Sequence, residues 1–69
     1  MENVKAADVR IGLKIRVQIN PFGDEYVAGE ITKILKVEKS FTKVEIVLEN
    51  GKTKTIMVLG KGRKDVVYA

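Results

Sequence analysis

The segment at residues 44–57 reads VEIVLENGKTKTIM, and its pattern predicts a β-hairpin around which the rest of the chain can be arranged. An Asn-Gly pair between two alternating segments is the strongest short hairpin signal, because both central residues of a type I′ turn need positive φ. With Asn50 and Gly51 as the two-residue loop, the predicted opposing pairs are Glu49–Lys52, Leu48–Thr53, Ile46–Thr55 and Val44–Met57. The opposite charges of Glu49 and Lys52 support this register modestly.

Two strands are predicted before the hairpin. Leu13, Ile15, Val17 and Ile19 alternate with polar residues, as in a strand with one buried face. The longest β-prone stretch runs from Tyr26 to Val37, but its alternation slips where two aliphatic residues are adjacent. That slip predicts a bulge or sharp bend near Lys33, of the kind that small barrels use to curl a long strand. A helix over 30–38 is the rival interpretation, and Gly29 and the β-branched residues argue against it.

The connections complete an all-β pattern. Asn20–Glu25 contains Pro21 and Gly23 and predicts an exposed loop, and Lys39–Thr42 predicts a shorter one. Leu59–Asp65 is a basic loop with two glycines, and residues 66–69 can form a closing fifth strand. We therefore predict a small five-stranded SH3-like barrel over residues 10–69, preceded by an N-terminal arm or short edge segment at 1–9.

Composition excludes much chemistry. The 69 residues include no cysteine and no histidine, so disulfides, thiolate nucleophiles, cysteine metal sites and imidazole bases are all unavailable. The acidic pair Asp24-Glu25 is the main candidate for acid–base or Mg²⁺ work, and without a partner nucleophile it is better interpreted as solvated. We therefore expect no enzyme activity, no metal and no cofactor. A chain of this size buries only about 60% of its unfolded surface, so the core must be well patterned.

The hydropathy pattern predicts a cytoplasmic protein. No apolar run approaches the ~20 residues that a membrane-spanning helix needs, and Met1-Glu2-Asn3 does not begin a signal peptide.

Positive charge is concentrated in the second half of the chain. Residues 1–30 carry four Lys/Arg and five Asp/Glu, a net charge of −1, whereas residues 31–69 carry nine and four, a net of +5. This asymmetry favours an anionic partner, with nucleic acid the leading candidate. The candidate contacts are Lys52, Lys54, Lys61, Arg63 and Lys64, with Phe22 and Phe41 as aromatics in predicted loops that could stack on bases.

Each of these features also has a plain structural interpretation. Lysines on exposed strands discourage aggregation, and a basic glycine-rich loop can be merely solvated. An aromatic residue in a loop more often covers the end of a small barrel than contacts a ligand. The loop at 59–65 lacks the Gly-x-x-x-x-Gly-Lys-Ser/Thr pattern of a phosphate-binding P-loop.

Three motifs in the first 56 residues resemble those of the YwbE-like family of short prokaryotic proteins. They are RIGL at 10–13, GEITKIL at 29–35 and VEIVLENG at 44–51, and together the resemblance covers roughly residues 9–56. The chain departs from the family at Ser40-Phe41-Thr42, where the family tends to have His-Pro, and at Lys54-Thr55, where it tends to have Gly-Arg. The resemblance implies a barrel and says little of function. The same order of strands is also similar to KOW and Tudor modules, whose ligands range from nucleic acid to peptides.

Two functional hypotheses remain open from the sequence. The first is a non-enzymatic module that binds nucleic acid with low sequence preference through its basic second half. The second is a protein–protein adaptor or homodimer that uses a sheet edge or an exposed apolar pair, Val47 and Ile56, on the hairpin face opposite the core.

Overall fold

The computed structural model describes residues 2–20 and 25–69, which form five strands and one turn of 3₁₀ helix, Ala6–Asp8. The strands are β1 (Lys14–Gln18), β2 (Tyr26–Val37), β3 (Phe41–Leu48), β4 (Thr53–Leu59) and β5 (Val66–Tyr68). The prediction of an all-β fold with five strands is confirmed. In the described part of the chain, no helix has the length and apolar character that a membrane span requires.

All five strands belong to one antiparallel sheet with the order β4-β3-β2-β1-β5. The long strand β2 joins the two halves of this sheet. Residues 26–30 of β2 pair with β1, and residues 29–37 pair with β3. The sheet curls into a half-barrel, an arrangement compatible with the predicted small SH3-like barrel.

Two irregularities allow β2 to serve both halves of the sheet. Its register with β3 shifts between Ile31 and Lys33 and again between Ile34 and Lys36. An extra residue in one strand bends it and increases its twist. The predicted bulge near Lys33 is therefore confirmed, and a second follows within three residues.

The core lies on the concave side of the curled sheet. The buried residues of the core cluster are aliphatic, and they come from every strand and from the N-terminal segment: Val4, Leu13, Ile15, Val17, Ile31, Val44, Ile46, Val58 and Val66. The predicted alternation holds for Leu13, Ile15 and Val17. Ile19 lies beyond the end of β1 and is 48% exposed.

Residues 2–4 run along the outer edge of β5. Val4 is completely buried, and its amide donates a hydrogen bond to the Val66 carbonyl at 3.0 Å. Asn3 forms an isolated bridge with Val67, and the Tyr68 amide donates to the Glu2 carbonyl at 3.0 Å. Residues 2–4, which belong to the predicted N-terminal arm or edge segment, therefore pack against the sheet.

The predicted hairpin register is wrong by one residue. Val47 pairs with Thr53 and Val44 with Ile56, and the Leu48 amide donates to the Lys52 carbonyl at 2.8 Å. The Leu48–Lys52 hydrogen bond closes a loop of three residues, 49–51, and among these three only Gly51 has positive φ (+85°). Three-residue hairpin loops need just one residue in the left-handed region, and an Asn-Gly pair serves them as well as a two-residue loop.

A slip of one residue turns every side chain of β4 to the other face of the sheet. Thr53, Thr55 and Met57 are exposed, although the predicted register placed them on the core side. Ile56 instead packs against the core, while Val47 lies on the outer face. The apolar pair Val47 and Ile56 therefore does not form one patch, and that prediction is wrong.

A hydrogen bond joins the 3₁₀ turn to β5, and it predicts a measurable titration. The Tyr68 hydroxyl donates to Asp8 Oδ2 at 3.1 Å. Burial, followed by this hydrogen bond and the Asp8 charge, raises the pKa of Tyr68 above its ordinary value of 10.0. A raised tyrosine pKa favours the neutral hydroxyl in the folded state. Its stabilising contribution is thus complete below about pH 10 and is lost as pH rises through the folded-state pKa.

We expect Asp8→Asn to lower the pKa of Tyr68 towards its ordinary value. The measurement is a phenolate absorbance titration in a Tyr26→Phe background, which leaves Tyr68 as the sole tyrosine. An unchanged Tyr68 titration after the Asp8 substitution would contradict the assigned contact.

Candidate nucleic-acid interface

Three of the five predicted cations meet at one cavity. The cavity has a volume of about 430 Å³ and is lined by Gln18, Ile19, Lys54, Arg63, Lys64 and Asp65. These residues come from three separate parts of the chain: the end of β1, the start of β4 and the loop before β5. A contiguous basic site is therefore assembled by the fold.

Lys54 reaches this cavity because of the observed hairpin register. It pairs with Ile46, whose side chain is fully buried, so both residues project from the same face of the sheet. Lys54 itself remains exposed, since it lies beyond the packed part of the core. In the predicted register Lys54 would have projected from the opposite face, away from Arg63 and Lys64.

The loop that carries Arg63 and Lys64 is held by backbone hydrogen bonds. The Gln18 amide donates to the Asp65 carbonyl at 2.8 Å, and the Val66 amide donates to the Arg63 carbonyl at 3.2 Å. The Tyr26 hydroxyl donates to the Lys64 carbonyl at 2.7 Å. These bonds connect the loop to β1 and β2, so the two cations have a defined position relative to Lys54.

The charge at the cavity is positive but partly compensated. Among the described residues that line it, Lys54, Arg63 and Lys64 contribute +3 and Asp65 contributes −1, a net of +2. The Arg63 Nε lies 3.5 Å from Asp65 Oδ1, and both side chains are more than a third exposed, so this pair contributes only about 0–1 kcal/mol. Within residues 2–20 and 25–69, Lys54 and Lys64 form no salt bridge.

One carboxylate oxygen at this site has no hydrogen bond. Asp65 Oδ1 is buried as an atom, and no described donor reaches it with hydrogen-bond geometry. The Arg63 ion pair is therefore its electrostatic compensation. Lys54 and Lys64, which have no ion pair in the described part of the chain, are therefore the cations most available to an anion.

The other two predicted cations lie elsewhere. Lys61 lines a separate groove of about 360 Å³ with Lys39, Ser40, Leu59 and Gly60. Lys52 is exposed immediately after the hairpin loop and lines neither cavity. The structure thus divides the predicted basic set into one cluster of three and two peripheral lysines.

Of the two predicted aromatic contacts, Phe41 does not line this cavity. Phe41 is the first residue of β3 and not part of a loop; it pairs with Leu59 and is half-buried. Its side chain projects from the face opposite that of Val44 and Ile46, and therefore opposite that of Lys54. Phe22 lies outside the described residues.

Gln18 and Ile19 were not anticipated as site residues. The predicted fifth strand carried the information needed to find them. If β5 pairs antiparallel with β1 and Val17 lies opposite Val66, then the residues that follow Val17 lie opposite the residues that precede Val66. The structure has this pairing, Val17 with Val66. Without a partner assigned to β5, the sequence gives no reason to place these residues beside Arg63.

Comparisons of the chain with protein-family models, curated proteins and solved structures returned no significant match. The resemblance of residues 9–56 to the YwbE-like family stays a prediction.

Proposed function

We propose that this chain is a non-enzymatic, cytoplasmic module that binds the phosphate backbone of nucleic acid at the cavity formed by Lys54, Arg63 and Lys64. The observation that carries the proposal is the convergence of these cations from β4 and the loop before β5. Cations from distant positions that share one surface are typical of an electrostatic footprint for a polyanion.

The chemistry of the lining residues favours backbone contacts with little sequence preference. Lysine and arginine neutralise phosphates whatever the base, and among the described lining residues Gln18 contributes the only amide side chain, the type that reads base edges. Binding of this kind is driven largely by counterion release. The absence of histidine and cysteine from the sequence supports a binding role and not a catalytic one.

The test is a fluorescence anisotropy titration of labelled single- and double-stranded DNA and RNA over a salt series. For the triple variant Lys54→Gln/Arg63→Gln/Lys64→Gln, we expect the slope of log affinity against log salt to shrink by about 2 to 3. This change corresponds to about 0.7–0.9 for each of three lost phosphate contacts. At low salt we also expect binding at least about tenfold weaker, since the loss of even one charge-assisted hydrogen bond costs about 1.5–3 kcal/mol.

A second triple variant provides the matched control. Lys33→Gln/Lys36→Gln/Lys43→Gln changes the net charge by the same amount, on the distal parts of β2 and β3. None of these lysines lines the cavity, so the salt slope should stay close to that of the unmodified protein. Equal losses in the two variants would show that only net charge matters and would overturn the site. No binding by the unmodified protein at low salt would overturn the function.

A further inference from the structure

The cavity that carries the basic cluster also contains an exposed apolar side chain, Ile19. The other described lining residues are polar or charged, whereas Ile19 is a large aliphatic residue that is 48% exposed. Its backbone is held in place, because the Ile19 amide donates a hydrogen bond to the Glu25 carbonyl at 3.3 Å. A site for phosphate alone gives no role to this side chain, since aliphatic surface is stabilised by contact with apolar groups and not with ions or water.

The cavity opens on the concave side of the sheet. The hydrogen bond to Glu25 continues the pairing of β1 with β2, so Ile19 projects from the same face as the buried residues Ile15 and Val17. Lys54 projects from the core side as well, and its strand β4 lies at the opposite end of the strand order from β1 and β5. The curl of the sheet therefore brings cations and an aliphatic surface together in one recess.

We propose that this cavity takes one unpaired nucleotide. The proposal rests on the proposed function and narrows its ligand to a single strand of DNA or RNA. The cavity volume of about 430 Å³ falls within the range of ~300–1,000 Å³ for sites that enclose a small organic molecule. A nucleotide matches both parts of the lining, because its phosphate pairs with Lys54 and Lys64 while the flat face of its base covers Ile19.

A duplex cannot use the cavity in this way. Its bases are stacked and paired inside the helix, so a base enters a recess in a protein only after it is unstacked and unpaired, at a cost in free energy. The bases of a single strand can splay out onto a protein surface without that cost. Contact with the face of a base is also tolerant of sequence, which agrees with the low sequence preference of the proposed function.

Charge alone predicts the opposite preference. A duplex carries the phosphates of two strands along one axis, and each contact with it contributes a salt slope of about 0.9, against about 0.7 for a single strand. A surface that recognises only phosphates should therefore bind the duplex at least as tightly as the single strand. Tighter binding of the single strand thus reports a contact with the unpaired base.

The first experiment compares a labelled oligothymidylate with the same strand annealed to oligodeoxyadenylate, by fluorescence anisotropy with the full chain at physiological salt. We expect the single strand to bind about threefold more tightly or better, because salt screens the electrostatic advantage of the duplex. Labelled oligouridylate is the RNA arm. Whichever single strand binds more tightly identifies the source of the nucleotide, and either result supports the proposal if that strand binds better than the duplex.

Ile19→Ser tests the apolar contact with every charge intact. Covering the exposed half of an isoleucine side chain accounts for about a three- to tenfold change in affinity, so single-strand binding should weaken by that factor. The salt slope should stay the same, because no phosphate contact is lost. Leu35→Ser is the matched control, since Leu35 is 47% exposed on β2 and does not line this cavity. This control should bind like the unmodified protein.

Ile19→Phe gives a result that a damaged fold cannot imitate. An aromatic ring offers the base a larger flat surface, so this variant should bind the single strand more tightly than the unmodified protein does.

The outcomes separate this proposal from the proposed function. Equal or tighter binding of the duplex, or equal effects of Ile19→Ser and Leu35→Ser, would overturn the unpaired nucleotide and leave phosphate binding intact. Failure of the unmodified protein to bind either form at low salt would overturn the proposed function, and the nucleotide with it.

Discussion

Replacing Ile31 by alanine should remove about 2–5 kcal/mol from the free energy of unfolding, the cost of emptying a fully packed site. Ile31 is completely buried and lies at the middle of β2, where that strand passes from its pairing with β1 to its pairing with β3. A domain of this length has a total stability of about 3–10 kcal/mol. The substitution should therefore remove a large share of the stability of the fold.

Ile34→Ala is the matched control for this prediction. Ile34 lies on the same strand but is 41% exposed, so its truncation should cost about 1 kcal/mol or less. Both substitutions lose the same intrinsic β propensity, and their difference reports burial alone. Urea unfolding followed by circular dichroism measures both. Similar midpoints for the two variants would contradict the position of the core.

Replacing Gly62 by alanine should be the most damaging single change outside the core. Gly62 has φ +80°, a conformation that costs a residue with a side chain about 1–2 kcal/mol. A Cβ at this position would also lie 3.0 Å from the Asn3 Cβ and 3.3 Å from the Val4 carbonyl oxygen. The added methyl group therefore forces residues 3–4 away from the loop and loosens their pairing with β5.

Gly51→Ala separates the cost of positive φ from the cost of the close contacts. Gly51 has a similar φ of +85°, but its added Cβ meets no atom within 4 Å. Its substitution should cost the backbone term of about 1–2 kcal/mol alone. Gly62→Ala should cost more and should also increase hydrogen exchange at the Val4 and Tyr68 amides. Equal losses in the two variants would contradict the close approach of the N-terminal segment to this loop.

Much of the fold follows from local patterns in the sequence. The alternation in residues 13–17 identifies β1 and its buried face, and the slip near Lys33 identifies the bend in β2, because both signals depend on neighbouring residues. The hairpin register does not follow, since the same Asn-Gly pair fits loops of two or three residues. One residue of difference there exchanges the two faces of β4.

The candidate site illustrates the same limit. Charge counting identifies the basic second half of the chain, but not which lysines meet. Lys54 joins Arg63 and Lys64 through the pairing of β3 with β4 and of β1 with β5. No pattern within a short segment predicts which strands pair over such distances in the chain. Lys61 is adjacent in sequence to this set, yet it faces a different groove. Proximity along the chain was therefore a poor guide to proximity in space.

The pairing of residues 2–4 with β5 makes the chain suitable for circular permutation. The Glu2 carbonyl and the Tyr68 amide are one hydrogen bond apart, so a short linker can join these two regions without distorting the sheet. New termini can then be opened in the exposed loop at 49–51, since circular permutation succeeds best at such sites. In the permuted chain the contact between residues 2–4 and 66–68 becomes local. Because local contacts form quickly, the permutant should close this edge early in folding, whereas the β3–β4 hairpin becomes the long-range closure.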